Sequence, residues 1–136
     1  MPLVTWNDKL SVGVSSIDTE HQRLVSLLNE FYDAVQAGKG KESLGSLFRG
    51  LADYTRVHFA NEERLFTGAQ YPDAAAHKKL HEDLLRQVLE LEKKFSAGPS
   101  VALSLEAVNF LKGWLINHIQ GTDKKYGPHL IARGIR

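Results

Sequence analysis

Seven side chains able to bind a metal ion recur along this chain: His21, His58, Glu62, His77, His81, His118 and Asp123. His58 and Glu62 are four apart, as are His77 and His81, so each pair projects from one face of a helix. His118 and Asp123 are five apart, a spacing that an ideal α-helix does not align; it demands local unwinding or a wide bulge. Taken singly, each group is ordinary. His58 with Glu62 reads as an exposed i,i+4 pair, His77 with His81 as packed or surface histidines, and His21 as a core histidine bonded to a carbonyl. Together in one core they are not, because buried carboxylates and imidazoles need partners. One tetrahedral zinc would engage four and leave three unused. Two ions fit better, and five imidazoles with two carboxylates suit iron among other first-row metals.

Bringing these groups together requires four helices. His21, Leu24, Leu28, Phe31 and Val35 make one stripe and predict a helix over residues 18–37, with Asp18 as N-cap and Gly38-Lys39-Gly40 as its stop. A second helix is expected over 41–67, through Leu44, Leu47, Leu51, Tyr54, His58, Glu62 and Leu65, closed by Gly68. Tyr71-Pro72-Asp73 makes a turn, with Asp73 capping a third helix over 74–96. That helix uses His77, Leu80, His81, Leu84, Val88, Leu91 and Phe95, and Gly98-Pro99 breaks it. The fourth covers 103–121 through Val108, Leu111, Leu115, His118 and Ile119.

Short connections between these stretches predict an all-α, antiparallel up-down-up-down four-helix bundle. An N-terminal extended arm of 17 residues and a short C-terminal tail after Asp123 pack outside it. In an antiparallel bundle the start of the first helix lies beside the end of the second, the start of the third and the end of the fourth. His21, His58 with Glu62, His77 with His81, and His118 followed by Asp123 occupy those four places, so all seven groups fall at one level. His129 has no partner in the pattern and reads as a tail residue. Glu63, beside Glu62, is expected to face solvent.

Composition narrows the function classes. The 136 residues suit a single domain over residues 1–136, and 43% hydrophobic with 24% charged residues is ordinary for a globular chain. The net charge of +1 with no long basic run points away from nucleic acid and from anionic membranes. Apolar stretches are far shorter than the roughly 20 residues of a spanning helix, so no membrane insertion is expected. Residues 1–10 have no apolar segment of the signal-peptide kind. Cysteine is absent, which removes disulfides, thiolate zinc sites and iron–sulfur clusters and makes cytoplasmic residence the expectation.

Over nearly its whole length the chain resembles the hemerythrin family, in its bacterial single-domain branch. The resemblance runs from Trp6 and Val12-Gly13-Val14 through Ile17-Asp18-Thr19-Glu20-His21 to His58-Phe59-Ala60-Asn61-Glu62-Glu63. It continues with Tyr71-Pro72, the His77 and His81 pair, and His118-Ile119 followed by Asp123-Lys124-Lys125-Tyr126. A single HxxxH would be weak; the ordered set is specific. The resemblance implies two iron ions with a bridging oxo or hydroxo group. His77, His81 and His118 would bind one ion, His21 and His58 the other, and Glu62 and Asp123 would bridge both. The first ion then has six ligands and the second five. In this family the vacancy takes dioxygen, which accepts two electrons and a bridging proton to form a hydroperoxide that can revert.

Reversible binding requires a dry pocket. By their places beside the histidines, Leu24, Phe59, Trp114, Leu115 and Ile119 are its candidate walls. Phe66 stands where many relatives have methionine, a packing change beside the site. The resemblance implies a dioxygen-binding protein for storage, delivery or sensing, with delivery to an oxygen-using enzyme as one partner relation, and not an enzyme itself. The oligomeric state is not legible. The alternative is a di-iron enzyme reducing peroxide, dioxygen or nitric oxide. Carboxylate-rich di-iron oxidases use paired Glu-x-x-His motifs, and this chain has none; a nitrogen-rich site fits reversible binding better.

Overall fold

The computed structural model describes residues 3–98 and 100–135. Four long helices run in sequence: α1 (Ser15–Gln36), α2 (Lys41–Ala69), α3 (Ala74–Ala97) and α4 (Val101–Asn117). A π-helical segment, His118–Asp123, leads into a fifth helix, α5 (Lys124–Ala132). Contacts at the two ends fix the directions. Phe31 near the end of α1 meets Phe48 near the start of α2 and Phe95 near the end of α3. At the opposite end His21 of α1 meets His58 of α2, and His77 of α3 meets His118 after α4. Successive helices therefore alternate in direction, and no described residue is in a strand. No helix among the described residues is long and apolar enough to cross a membrane.

The apolar stripes explain the packing. α1 buries Ile17, His21, Leu24, Val25, Leu28, Phe31 and Ala34, and α3 buries His77, His81, Leu84, Val88, Leu91 and Phe95. Both repeat at the 3-4 spacing that holds one side of a helix against its neighbours. Leu80, expected on the α3 stripe, is exposed, since the alternation runs through His81 and Leu84 instead.

Several expected boundaries move. α1 begins at Ser15 with Val14 as N-cap, so Asp18 sits inside the first turn. Its carboxylate is turned back on the arm, accepting from the Ser11 hydroxyl at 2.5 Å and the Val12 N–H at 2.8 Å. α2 continues through Gly68 and ends at Gln70, which adopts φ 54°. Asp73 holds the N-cap place of α3 without a side-chain hydrogen bond. α3 ends before Gly98, and Pro99 lies outside the described residues.

The arm and the tail differ most from expectation. The arm is pinned to α1 by Asn29, whose amide accepts from the Val4 N–H at 3.0 Å and donates to the Val4 carbonyl at 2.8 Å. The tail is helical despite Gly127 and Pro128. Gly127 is required there, because a Cβ at that place would lie 2.2 Å from the Val12 carbonyl oxygen. Arm and α5 thus press together and build a second apolar cluster from Val12, Val14, Ile17, Phe66, Ala69, Tyr71, Tyr126 and Leu130. The larger cluster fills the rest of the bundle, through Leu24, Leu28, Phe31, Phe48 and Phe95. The layer of buried histidine and carboxylate side chains between the two clusters has apolar packing on both sides.

Candidate metal centre

All seven expected groups converge in that layer. His21, His58, Glu62, His77, His81, His118 and Asp123 are all buried, none more than 6% exposed. They form two overlapping sets with ligand atoms close enough to share an ion. One joins Glu62, His77, His81, His118 and Asp123; the other joins His21, His58, Glu62 and Asp123. Glu62 and Asp123 belong to both.

The backbone explains how Asp123 reaches its place. Residues five apart point about 140° away from each other on an α-helix. The π segment His118–Asp123 widens the turn and brings both side chains inward. Asp123 Oδ1 lies 2.9 Å from His77 Nε2 and 2.9 Å from His118 Nε2, while Oδ2 lies 3.1 Å from His21 Nε2. Its two oxygens therefore face the two halves. Glu62 is disposed differently: Oε1 is 3.1 Å from His58 Nε2 and 3.3 Å from His81 Nε2. Its Oε2 accepts a short hydrogen bond from the Tyr126 hydroxyl.

These short separations are not hydrogen bonds. The Nε2 atoms of His21, His77, His81 and His118, Glu62 Oε1 and both Asp123 oxygens have no aligned partner. Buried polar atoms seldom go unpaired, so this many at one point call for something between them. Neighbouring ligands at about 2.1 Å from a six-coordinate ion stand about 3.0 Å apart, and those around tetrahedral zinc about 3.4 Å. Most of the separations quoted fall nearer the first figure. A histidine-rich, thiolate-free donor set of this size fits a pair of first-row ions.

Electrostatics within the metal-free layer are strongly coupled. Burial and the Asp123 charge both oppose ionisation of Glu62, but His58 and His81 outweigh them and hold it down at about 2. Burial likewise opposes the charge on Asp123, and the imidazoles of His118, His21 and His77 hold its carboxyl well below the usual range. On His58 burial disfavours the proton, yet Glu62 and Glu20 raise it to about 10. Burial dominates at His81 and lowers it.

The expected pocket walls separate into two groups. Leu24, Trp114 and Leu115 line a small apolar cavity of about 30 Å³ that runs along the bundle past Leu28 and Leu111 to Phe48, with none of the seven groups in its wall. That is room for a very small molecule. Phe59 does not line it; its ring lies flat on His81, centroids 3.7 Å apart and planes 2° from parallel. Ile119 is fully buried in the main apolar cluster and also does not line the cavity. Trp114 stacks on His118 at 4.3 Å. Phe66 packs among His77, Tyr71 and Tyr126 on the other side of the layer.

Two supporting residues were missed in the sequence. Tyr126 follows Asp123 by three, a same-face spacing that should have marked it. Glu20 precedes His21 by one in α1 and faces α2, where His58 Nδ1 donates to it at 2.6 Å. Glu63, expected in solvent, is half-buried with Oε1 3.9 Å from His81 Nδ1. His129 stays away from the site and ties α5 to the end of α2, its Nε2 lying 2.7 Å from the Ala69 carbonyl oxygen.

Comparison with known proteins agrees with this geometry. Residues 12–130 match the hemerythrin HHE cation binding domain. The chain is 37% identical to the bacteriohemerythrin of Stenotrophomonas maltophilia, over 97% of its own length and 84% of the relative's. It is 40% identical to that of Pseudomonas aeruginosa, over 93% and 80%. For the Methylococcus capsulatus protein the identity is 35%, over 97% and 100%. A crystal structure of a hemerythrin point mutant superposes with a TM-score of 0.86 at 32% identity, covering 96% of this chain and 98% of that one. Wild-type hemerythrin gives 0.84. The chain belongs to the hemerythrin family.

Proposed function

We propose that this protein binds dioxygen reversibly at a pair of iron ions, for storage, delivery or sensing, and does not turn over a substrate. His77, His81 and His118 would hold one ion, His21 and His58 the other, and Glu62 and Asp123 would be shared by the two. The observation that carries this reading is the inequality of the two donor sets, five groups against four, around two shared carboxylates. Three imidazoles on one side and two on the other leave the second ion a coordination place short. A bound ferrous pair would supply the two electrons that dioxygen takes up on binding and gives back on release.

The chain's own residues govern whether that exchange stays reversible. Leu24, Leu115 and Trp114 line an apolar cavity in the bundle core, and apolar surroundings exclude the water and protons that promote irreversible oxidation. Phe59 and Trp114 cover the faces of His81 and His118. Tyr126 holds one oxygen of Glu62 and so restrains the orientation of a shared carboxylate. Cytoplasmic residence, and delivery of dioxygen to an oxygen-using enzyme, belong to the same reading. It calls for no nucleic-acid contact and no membrane insertion.

The test is to load the protein with ferrous iron without air, then admit air and sweep with argon. Reversible binding predicts a visible absorption that develops in air and fades under argon over repeated cycles. Rapid irreversible oxidation, with consumption of added peroxide, would replace this reading with a di-iron reductase.

A further inference from the structure

An imidazole that turns one ring nitrogen inward has a second facing away. What that second nitrogen meets fixes the ring's tautomer and tilt. Among the described residues, His58 is the one inward histidine whose outer nitrogen meets a carboxylate within hydrogen-bonding distance, Nδ1 donating to Glu20 Oε1 at 2.6 Å. Glu20 is itself held: Asn61 Nδ2 donates to its Oε2 at 3.1 Å, and Arg64 Nη2 donates to Asn61 Oδ1 at 3.2 Å. The line runs from a buried ring outward, His58 being 1% exposed and Glu20 23%. On the three-histidine side the anchoring is of another kind. His81 Nδ1 has no hydrogen-bond partner, and its ring is fixed by the flat face of Phe59. His118 is stacked under Trp114.

Two consequences follow from this asymmetry. The Glu20 carboxylate adds negative charge beside the half of the site with fewer donors and makes the His58 imidazole a stronger donor. It also removes the ring's freedom to turn away before a metal arrives. The three-histidine half already gathers five groups and needs no such help.

We propose that Glu20, held by Asn61, is a positioning residue that sets the metal affinity of the His21 and His58 half alone, so that the site fills in order, the three-histidine half first. This rests on the two-ion reading of the site. The test uses the full metal-free chain titrated with Co²⁺, the bound ions counted by native mass spectrometry and their coordination followed by the visible bands. Two resolved steps are expected for the wild type. Glu20→Gln weakens the second step about 10- to 100-fold and leaves the first unchanged. Asn61→Ala, which loosens Glu20 without touching His58, shifts the same step by less, and carries the test if Glu20→Gln does not fold. Melting of the metal-free variants, followed by circular dichroism, checks that both are folded. A second step unaffected by either substitution, or both steps weakened equally, overturns the proposal. A wild-type chain that takes up fewer than two ions fails earlier, at the two-ion reading itself.

Discussion

At the end of the bundle remote from the site, Phe31, Phe48 and Phe95 from three helices pack with ring centroids 5.2 to 5.9 Å apart. At the other end the same three helices present His21, His58, Glu62, His77 and His81, with His118 and Asp123 added by the π segment. Both layers are buried. The aromatic layer gains from burial whether or not anything is bound. The polar layer gathers ionisable groups whose lone pairs converge, a cost that the attraction between His58 and Glu62 offsets only in part. One bundle thus separates stability from function along its axis, and the apolar cluster built by arm and α5 closes the functional end.

That separation can be broken by substitution. Phe31→Ala should lower the unfolding free energy by about 3–5 kcal/mol, measured by urea denaturation, while the folded fraction keeps its full metal content. Lost metal uptake in the folded protein would show that the two ends are not independent. Adding metal works from the other direction: free ion at a thousandfold over each Kd should raise stability by about 4.1 kcal/mol per ion, about 8 kcal/mol for the pair. Phe31→Ala should retain that increment, and His77→Ala should lose most of it. Equal increments in both would place the ion elsewhere.

Smaller effects sharpen the picture. Tyr126→Phe removes a hydrogen bond to an ionised carboxylate and should cost about 1.5–3 kcal/mol, read by thermal melting of the loaded protein. An unchanged melt would remove α5 from the support of the site. The pH dependence has a definite sign. His58, raised from 6.5 to about 10, stabilises the metal-free fold fully below 6.5, and that contribution is lost as pH rises through about 10. Glu62, lowered from 4.5 to about 2, contributes above 4.5 and loses its effect as pH falls through about 2. For these two groups the metal-free fold is favoured most between 4.5 and 6.5. Metal binding requires His58 to give up its proton, so at pH 7 loading should release about one proton and tighten about tenfold per pH unit. Calorimetric titration in buffers of different ionisation enthalpy reads this, and a pH-independent affinity would contradict it.

Much of this was legible beforehand, for identifiable reasons. Four apolar stripes at helical spacing placed the four helices, and the short connections placed their ends. The five-residue gap between His118 and Asp123 called for a wide turn, and a π helix is found there. What escaped detection depends on tertiary contact. Asp18 looks like a cap, yet it serves the arm, because Ser11 and Val12 compete for its carboxylate. Gly68 looks like a stop, but nothing forces a left-handed turn before Gln70. The tail after Asp123 is expected only to pack outside the bundle; it forms α5 through Gly127 and Pro128, where the glycine makes room for the Val12 backbone. Glu20 and Tyr126 lie within the stretches that carry the resemblance, but the role of each is visible only once α2 is beside it.

The claim beneath all of this is that seven side chains enclose two ions between Glu62 and Asp123. Crystals of the iron-loaded protein, measured at the iron absorption edge, test it directly. The account predicts two anomalous peaks per chain, each within bonding distance of both carboxylates, one nearer His77, His81 and His118 and the other nearer His21 and His58. A single peak, or peaks away from this layer, would contradict it.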